Sequence, residues 1–199
     1  MYEIRFHGRG GQGVVTAAEL LSIAAFHEGK HAQAFPSFGS ERMGAPVAAF
    51  CRIDDKEIRS REPIATPDAL IIQDSSLTRQ PDLLTGLKST KIVLVNTRLT
   101  LDELRAEQLK LKVGKQRILC IPATEIAVEL LKRNVPNVIM LAAFCAITEI
   151  VQLASLEQAV KEKFPAKIAD LNIQAARRAQ QLVQTQVAAL KSELEVSHV

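Results

Sequence analysis

Residues 2–21, YEIRFHGRGGQGVVTAAELL, change backbone period across a single turn. Tyr2 to Phe6 alternate and contain β-formers, which predicts a short strand ending at His7 and Gly8. From Val14 onward, Val14, Ala17, Ala18, Leu21, Ala24 and Ala25 recur on one helical face, with Gly29 as the stop. Between strand and helix stand Gly8, Arg9, Gly10, Gly11, Gln12 and Gly13. Glycines at such a turn take backbone angles closed to residues with a Cβ, or let another group approach the backbone. The first N–H groups of the helix, which starts near Gln12, point into the loop and suit an anion.

The spacing is formally GxGxxG, which alone says little. A dinucleotide site also needs a carboxylate about 20 residues further on, at the tip of the second strand. That strand reads HAQAF (31–35), and the next acid is Glu41, beyond Pro36 and Gly39. A phosphate loop of the Walker type fails as well, because Val14 and Val15 stand where Lys and Ser or Thr belong. His7 and Arg9 flank the glycines with positive or polarisable character. The residues leave open a stand-alone α/β protein that binds a nucleotide or anion at Gly8–Gly13, and an interaction module for other chains.

Further along, HAQAF is followed by PSFGSERMGA (36–45), which has turn chemistry throughout and carries Ser40, Glu41, Arg42 and Gly44. Two glycine-rich, charged loops in the first 45 residues predict one shared edge. PVAAFCRI (46–53) reads as a strand, and Asp54-Asp55 predicts a reversal into KEIR, hence a hairpin and a mixed sheet. ALIIQ (69–73), KIVLVN (91–96) and RILCI (117–121) are continuous apolar runs, as in parallel strands covered on both faces. TRQPDLLTGL suggests a short helix starting near Pro81, and TLDELRAEQLKL a charged helix with Thr100 and Glu103 as a capping box. From Ala123 the pattern is helical, ending in a long amphipathic segment marked by Leu171, Ala175, Ala179, Leu182, Val183, Val187, Leu190 and Leu194. The expected fold is α/β: a three-layer domain with a mixed, mostly parallel sheet, a Rossmann-like start and a long C-terminal helix. One domain spans 1–184, and 185–199 form a protruding helix end and tail that docks another chain.

Composition narrows the function. Hydrophobic residues are 47% of 199 and charged residues 24%, ordinary for a soluble globule. Aromatic residues are only 4%, so base-stacking platforms for nucleic acid have little to be built from. The net charge of +3 comes without a run of like charge. No apolar stretch is long enough for a membrane span and no export signal opens the chain, which predicts a cytoplasmic protein. Cys51, Cys120 and Cys145 are far apart and lack CxxC spacing, so no iron-sulfur or zinc ligand set is expected. His7, His27, His31 and His198 do not fit HExxH, and no GxSxG occurs. Thr124-Glu125 and Thr148-Glu149 read as cap or surface residues, so no catalytic residue is assigned.

GRGGQGVVTAAELL (8–21), AFPSFGSERMGAPVAAFCRID (34–54) and TPDALIIQD (66–74) together resemble the gamma subunit of the 2-oxoacid:ferredoxin oxidoreductases, most like the pyruvate-type enzymes. ATEIAVELL (123–131), Asn137 to Leu141, Phe164 and Asn172 extend the similarity over nearly the whole chain. The resemblance implies a non-catalytic subunit of an enzyme that oxidises 2-oxoacids, forms or cleaves acyl-coenzyme A and passes electrons to ferredoxin. Thiamine diphosphate and 4Fe-4S clusters are then held by alpha, beta and ferredoxin-like delta partners, and none by this chain. The family's glycine loop matches Gly8, Arg9, Gly10, Gly11, Gln12 and Gly13, and its arginine-glycine loop matches Glu41, Arg42, Gly44 and Ala45. Both are expected to face the catalytic subunits and the coenzyme A channel, with Ser40 beside them. Met43 and Ala142 depart from the family pattern; the first touches substrate class, the second only helix packing, where Ala suits a helix interior.

Overall fold

A computed structural model describes residues 1–37, 43–80, 83, 85–87, 90–107 and 117–196. The chain order is β1 (Tyr2–Arg9), α1 (Val14–His27), β2 (His31–Pro36), β3 (Pro46–Asp54), β4 (Ala69–Ile72), a 3-10 turn (Ser75–Arg79), β5 (Ile92–Asn96), α2 (Leu101–Glu107), β6 (Arg117–Ile121), α3 (Ala123–Leu131), α4 (Asn137–Thr148), α5 (Leu153–Lys163) and α6 (Ala166–Val196). One six-stranded sheet runs in the order β2-β3-β1-β4-β5-β6. β1, β4, β5 and β6 are parallel, while β3 is antiparallel to both β1 and β2. The mixed, mostly parallel sheet expected from the sequence is therefore present.

The hairpin expected at Asp54-Asp55 is not. β3 ends at Asp54 and KEIR forms no strand. Both edges of β3 are already taken, by β1 from Tyr2↔Ile53 to Arg9↔Pro46 and by β2 from His31↔Asp54 to Pro36↔Ala49. With no free edge to pair on, the chain after Asp54 is tied to the sheet by two buried arginines. Arg52 bonds Glu3 Oε1 at 2.8 Å and the carbonyls of Ser60 and Glu62. Arg5 donates to the carbonyls of Ala65 at 3.3 Å, Leu83 at 2.9 Å and Thr85 at 2.7 Å. Burial pulls the Arg5 guanidinium below its ordinary pKa, the cost of holding a cation on carbonyls alone. Arg52 also lies 5.2 Å over the Phe35 ring, which stacks on Phe50.

Alternation along the strands splits the core in two. Ile4, Phe6, Ala49, Cys51, Ile71 and Leu94 face a layer made of α1, α3, α4, α5 and α6. Leu70, Ile72, Val93, Val95 and Ile118 face the opposite side, where Leu77, Leu83, Leu87 and Leu104 cover them. α4 is apolar all round and its residues Val138 to Cys145 are buried, as a helix wedged between sheet and helix must be. α6 closes that layer through Ala169, Ile173, Ala175, Ala176, Ala179 and Val183, chiefly against α4 and α3. The capping box forms as read: the N–H of Thr100 donates to Glu103 Oε2 at 2.7 Å and the N–H of Glu103 to Thr100 Oγ1 at 3.3 Å. A 3-10 turn at Ser75–Arg79, with Asp74 capping the N–H of Ser76, precedes the segment in which the sequence predicts a short helix. Part of that segment, Pro81 included, lies outside the described residues.

Candidate functional site

β1 connects through α1 to strands on one side of it, whereas β4, β5 and β6 follow on the other side. The carboxyl ends of β1 and β4 thus flank the point where the strand order reverses, the usual location for a site in an open α/β sheet. The Gly8–Gly13 loop stands there. Gly13 caps the start of α1 with a left-handed φ of 72° and supplies no side-chain cap; no acid lies in the first turn. The opening N–H groups of α1 are therefore unclaimed by its own chain end.

Gly8, Gly11 and Gly13 each have a distinct steric reason. A Cβ on Gly8 would stand 2.6 Å from Val14 Cγ2, 2.9 Å from Gln12 Oε1 and 3.1 Å from Gln73 Cβ, so the loop could not fold back over the strand end. Gly11, at φ 96°, lies under Met43, whose sulfur would be 2.6 Å from a Cβ. At Gly13 a Cβ would meet the Asn137 amide nitrogen at 2.5 Å, which lets the start of α4 close against the start of α1. Gly44, at φ 77°, turns the chain in open space.

The two glycine-rich loops do meet. Gly10 bridges Met43, the N–H of Gly10 donates to the Ala45 carbonyl at 2.9 Å, and the N–H of Gly44 donates to the Gly10 carbonyl at 3.1 Å. Arg9 reaches across both, donating to the Gly44 carbonyl at 3.0 Å and to Ser76 Oγ at 2.8 Å. Ser40, Glu41 and Arg42, the other residues expected at this edge, lie outside the described residues. Around Arg9, Gly10, Gly11, Val14, Met43 and Val47 a cleft of about 420 Å³ opens, and Met43 itself is 87% exposed.

Asp74 organises this edge, and spacing alone does not single it out. Its carboxylate pairs with Arg9 Nε at 3.2 Å, accepts from Gln12 Nε2 at 3.1 Å and caps Ser76. Gln12 in turn accepts the Arg9 N–H at 2.8 Å. Arg9 is thereby neutralised in place, so the loop offers a hydrogen-bonding, nearly neutral surface and not a cationic trap. His7 adds no charge: desolvation first, and the Arg5 charge second, lower its pKa to about 4. The dinucleotide arrangement is absent as well, since antiparallel β3 occupies the place beside β1 and β2 lies at the sheet edge.

Two of the three cysteines are withdrawn from solvent. Cys51 on β3 and Cys145 on α4 are buried; desolvation pushes the Cys51 thiol upward and, with the Glu28 charge, the Cys145 thiol up to about 12. Among the described residues no three His, Cys, Asp or Glu side chains gather as a metal ion requires, and no helix is long and apolar enough to cross a membrane.

Residues 3–182 match the protein family described as Pyruvate ferredoxin/flavodoxin oxidoreductase. The chain is 49% identical over 177 residues to a pyruvate synthase subunit PorC of Methanothermobacter marburgensis, covering 89% of this chain and 94% of that one. It is also 49% identical over 179 residues to the pyruvate/ketoisovalerate oxidoreductases common subunit gamma of Thermococcus kodakarensis, covering 90% and 95%. Among solved structures, the pyruvate oxidoreductase subunit PORC of Thermotoga maritima aligns with a TM-score of 0.76 at 37% identity, over 90% of this chain and 95% of that one. A 2-oxoglutarate:ferredoxin oxidoreductase from Magnetococcus marinus shares the fold, with a TM-score of 0.72 at 16% identity over 31% of its length.

Proposed function

This chain belongs to the pyruvate ferredoxin/flavodoxin oxidoreductase family, as a gamma subunit of the 2-oxoacid:ferredoxin oxidoreductases, and on that premise we propose that it organises a multi-chain, cytoplasmic enzyme whose reacting groups lie in its partners. The partners are alpha, beta and ferredoxin-like delta subunits, with ferredoxin as electron acceptor of the whole. The reaction joins the acyl group of a decarboxylated 2-oxoacid, pyruvate in our reading, to coenzyme A, or runs in reverse. Thiamine diphosphate supplies the carbanion chemistry and the iron-sulfur clusters the electron path, both from the other chains. The near-full-length likeness to two gamma-type subunits supports this best. One of those is named as common to pyruvate and ketoisovalerate enzymes. We read that to mean that substrate choice here also rests with the other subunits.

Within the complex, we assign the edge formed by Gly8–Gly13 and Ser37–Gly44 to contact with the alpha-beta core and to admission of coenzyme A. The neutralised Arg9, the open start of α1 and the exposed Met43 supply backbone N–H groups and apolar surface for that contact. The end of α6 beyond residue 184 is a second docking element. The test is the assembled enzyme carrying Arg42→Ala or Met43→Glu. Arg42→Ala should raise the Michaelis constant for coenzyme A, and Met43→Glu should weaken assembly on size-exclusion chromatography. Intact assembly with an unchanged constant in both would refute the role of this edge while leaving family membership untouched.

A further inference from the structure

Gln73 follows β4 and is fully buried, yet neither Oε1 nor Nε2 of its carboxamide has a hydrogen-bond partner among the described residues. Its backbone is fixed: the N–H donates to the His7 carbonyl at 2.7 Å and the carbonyl accepts from Asn96 Nδ2 at 2.8 Å. Alternation along β4 puts the side chain on the same side as Ala69 and Ile71, under the helices. Its Cβ and Val14 Cγ2 flank the same point, 3.1 and 2.6 Å from where a Gly8 Cβ would stand. Gln73 therefore lies beneath the start of α1, between the carboxyl end of β4 and the glycine loop.

Gln12 and Asn96, two of the polar side chains around it, are already engaged. Gln12 is spent on Arg9 and Asp74. Asn96 gives its Nδ2 to the Gln73 carbonyl and Thr124 Oγ1, and its Oδ1 accepts the Thr124 N–H. Asn137 Oδ1 accepts the Val138 N–H, at the start of an α4 that, like α1, has no side-chain cap. A buried amide left unpaired at both ends is strongly disfavoured. It presents a donor and an acceptor together and carries no charge, so a cation or an anion would answer only one half. A species that both donates and accepts is needed, small enough for a core.

We propose that Gln73 holds ordered internal water beneath the glycine loop. The water accepts from Gln73 Nε2 and from an opening N–H of α1, and donates to Gln73 Oε1 or a nearby carbonyl. Such water is part of a native interior when it has two to four polar partners. Its effect is to couple the end of β4 to the start of α1, holding the loop that Gly8 and Gly13 make possible.

The test uses the full chain. A crystal structure of the wild-type protein, at a resolution where ordered water is visible, should show density within hydrogen-bonding distance of the Gln73 amide. A dry amide overturns the proposal. Gln73→Met, which keeps the shape and removes both polar ends, should lower the melting temperature by about 2–4 °C and lose that density. A Gln73→Met protein melting as high as wild type, or higher, overturns the coupling. If Gln73→Met fails to fold, the wild-type density decides alone.

Discussion

Gly13, Gly29 and Gly86 all sit at positive φ, but what surrounds them differs, and that difference is measurable. Gly29 has nothing within 4 Å of a would-be Cβ, so Gly29→Ala should cost only the left-handed backbone penalty, about 1–2 kcal/mol. Gly13→Ala adds a collision with the buried Asn137 amide, and Gly86→Ala one with the Ala65 backbone oxygen at 2.0 Å. Denaturant unfolding should rank Gly29→Ala mildest and Gly86→Ala most severe; equal losses would contradict the steric argument. His7 gives a prediction in pH. Above about pH 6.5 its ring is neutral in both folded and unfolded chains, and its contribution is complete. As pH falls from 6.5 towards 4, the unfolded chain takes up a proton that the folded one refuses, so stability is lost at up to about 1.4 kcal/mol per pH unit. Below about 4 this loss stops. His7→Gln should remove that slope between pH 6.5 and 4; an identical profile in variant and wild type would show the ring is not held neutral. The glycines were legible in the sequence because a strand-to-helix turn demands them. Asp74 was not, because its partners Arg9 and Gln12 lie more than 60 residues away and only the parallel pairing of β1 with β4 brings them together.

Elements were legible where one periodicity ruled. The apolar runs of β4, β5 and β6, the helical faces of α1 and α6, and the Thr100/Glu103 box all follow from spacing. Pairing did not follow: Asp54-Asp55 has good turn chemistry, but whether a strand forms after it depends on a free sheet edge, which local sequence does not record. Thr100→Ala should destabilise by about 0.5–2 kcal/mol through loss of the cap, read as a lower denaturation midpoint with an unchanged slope. Ala179 on α6 is fully buried in the tight layer with α4, so Ala179→Leu should cost about 1–3 kcal/mol by overpacking. A neutral Ala179→Leu would mean that α6 packs loosely and could detach.

At the scale of the molecule, the fold puts a self-neutralised glycine edge at the strand-order reversal, where many α/β enzymes hold their reacting groups. Asp74 silences Arg9, burial first and the Arg5 charge second keep His7 uncharged, and burial keeps Cys51 and Cys145 as thiols. On the function proposed above, that edge offers backbone and shape to a neighbouring chain. That reading is tested most directly by isolating the tagged full-length chain from its native cells under anaerobic conditions and assaying coenzyme A-dependent oxidation of pyruvate before and after the chain is separated from whatever accompanies it. Alpha, beta and delta chains carrying iron and thiamine diphosphate should copurify, with activity in the assembly and none in the separated chain. Turnover by the separated chain, or an accompanying assembly that keeps full activity and integrity without it, would contradict the assignment.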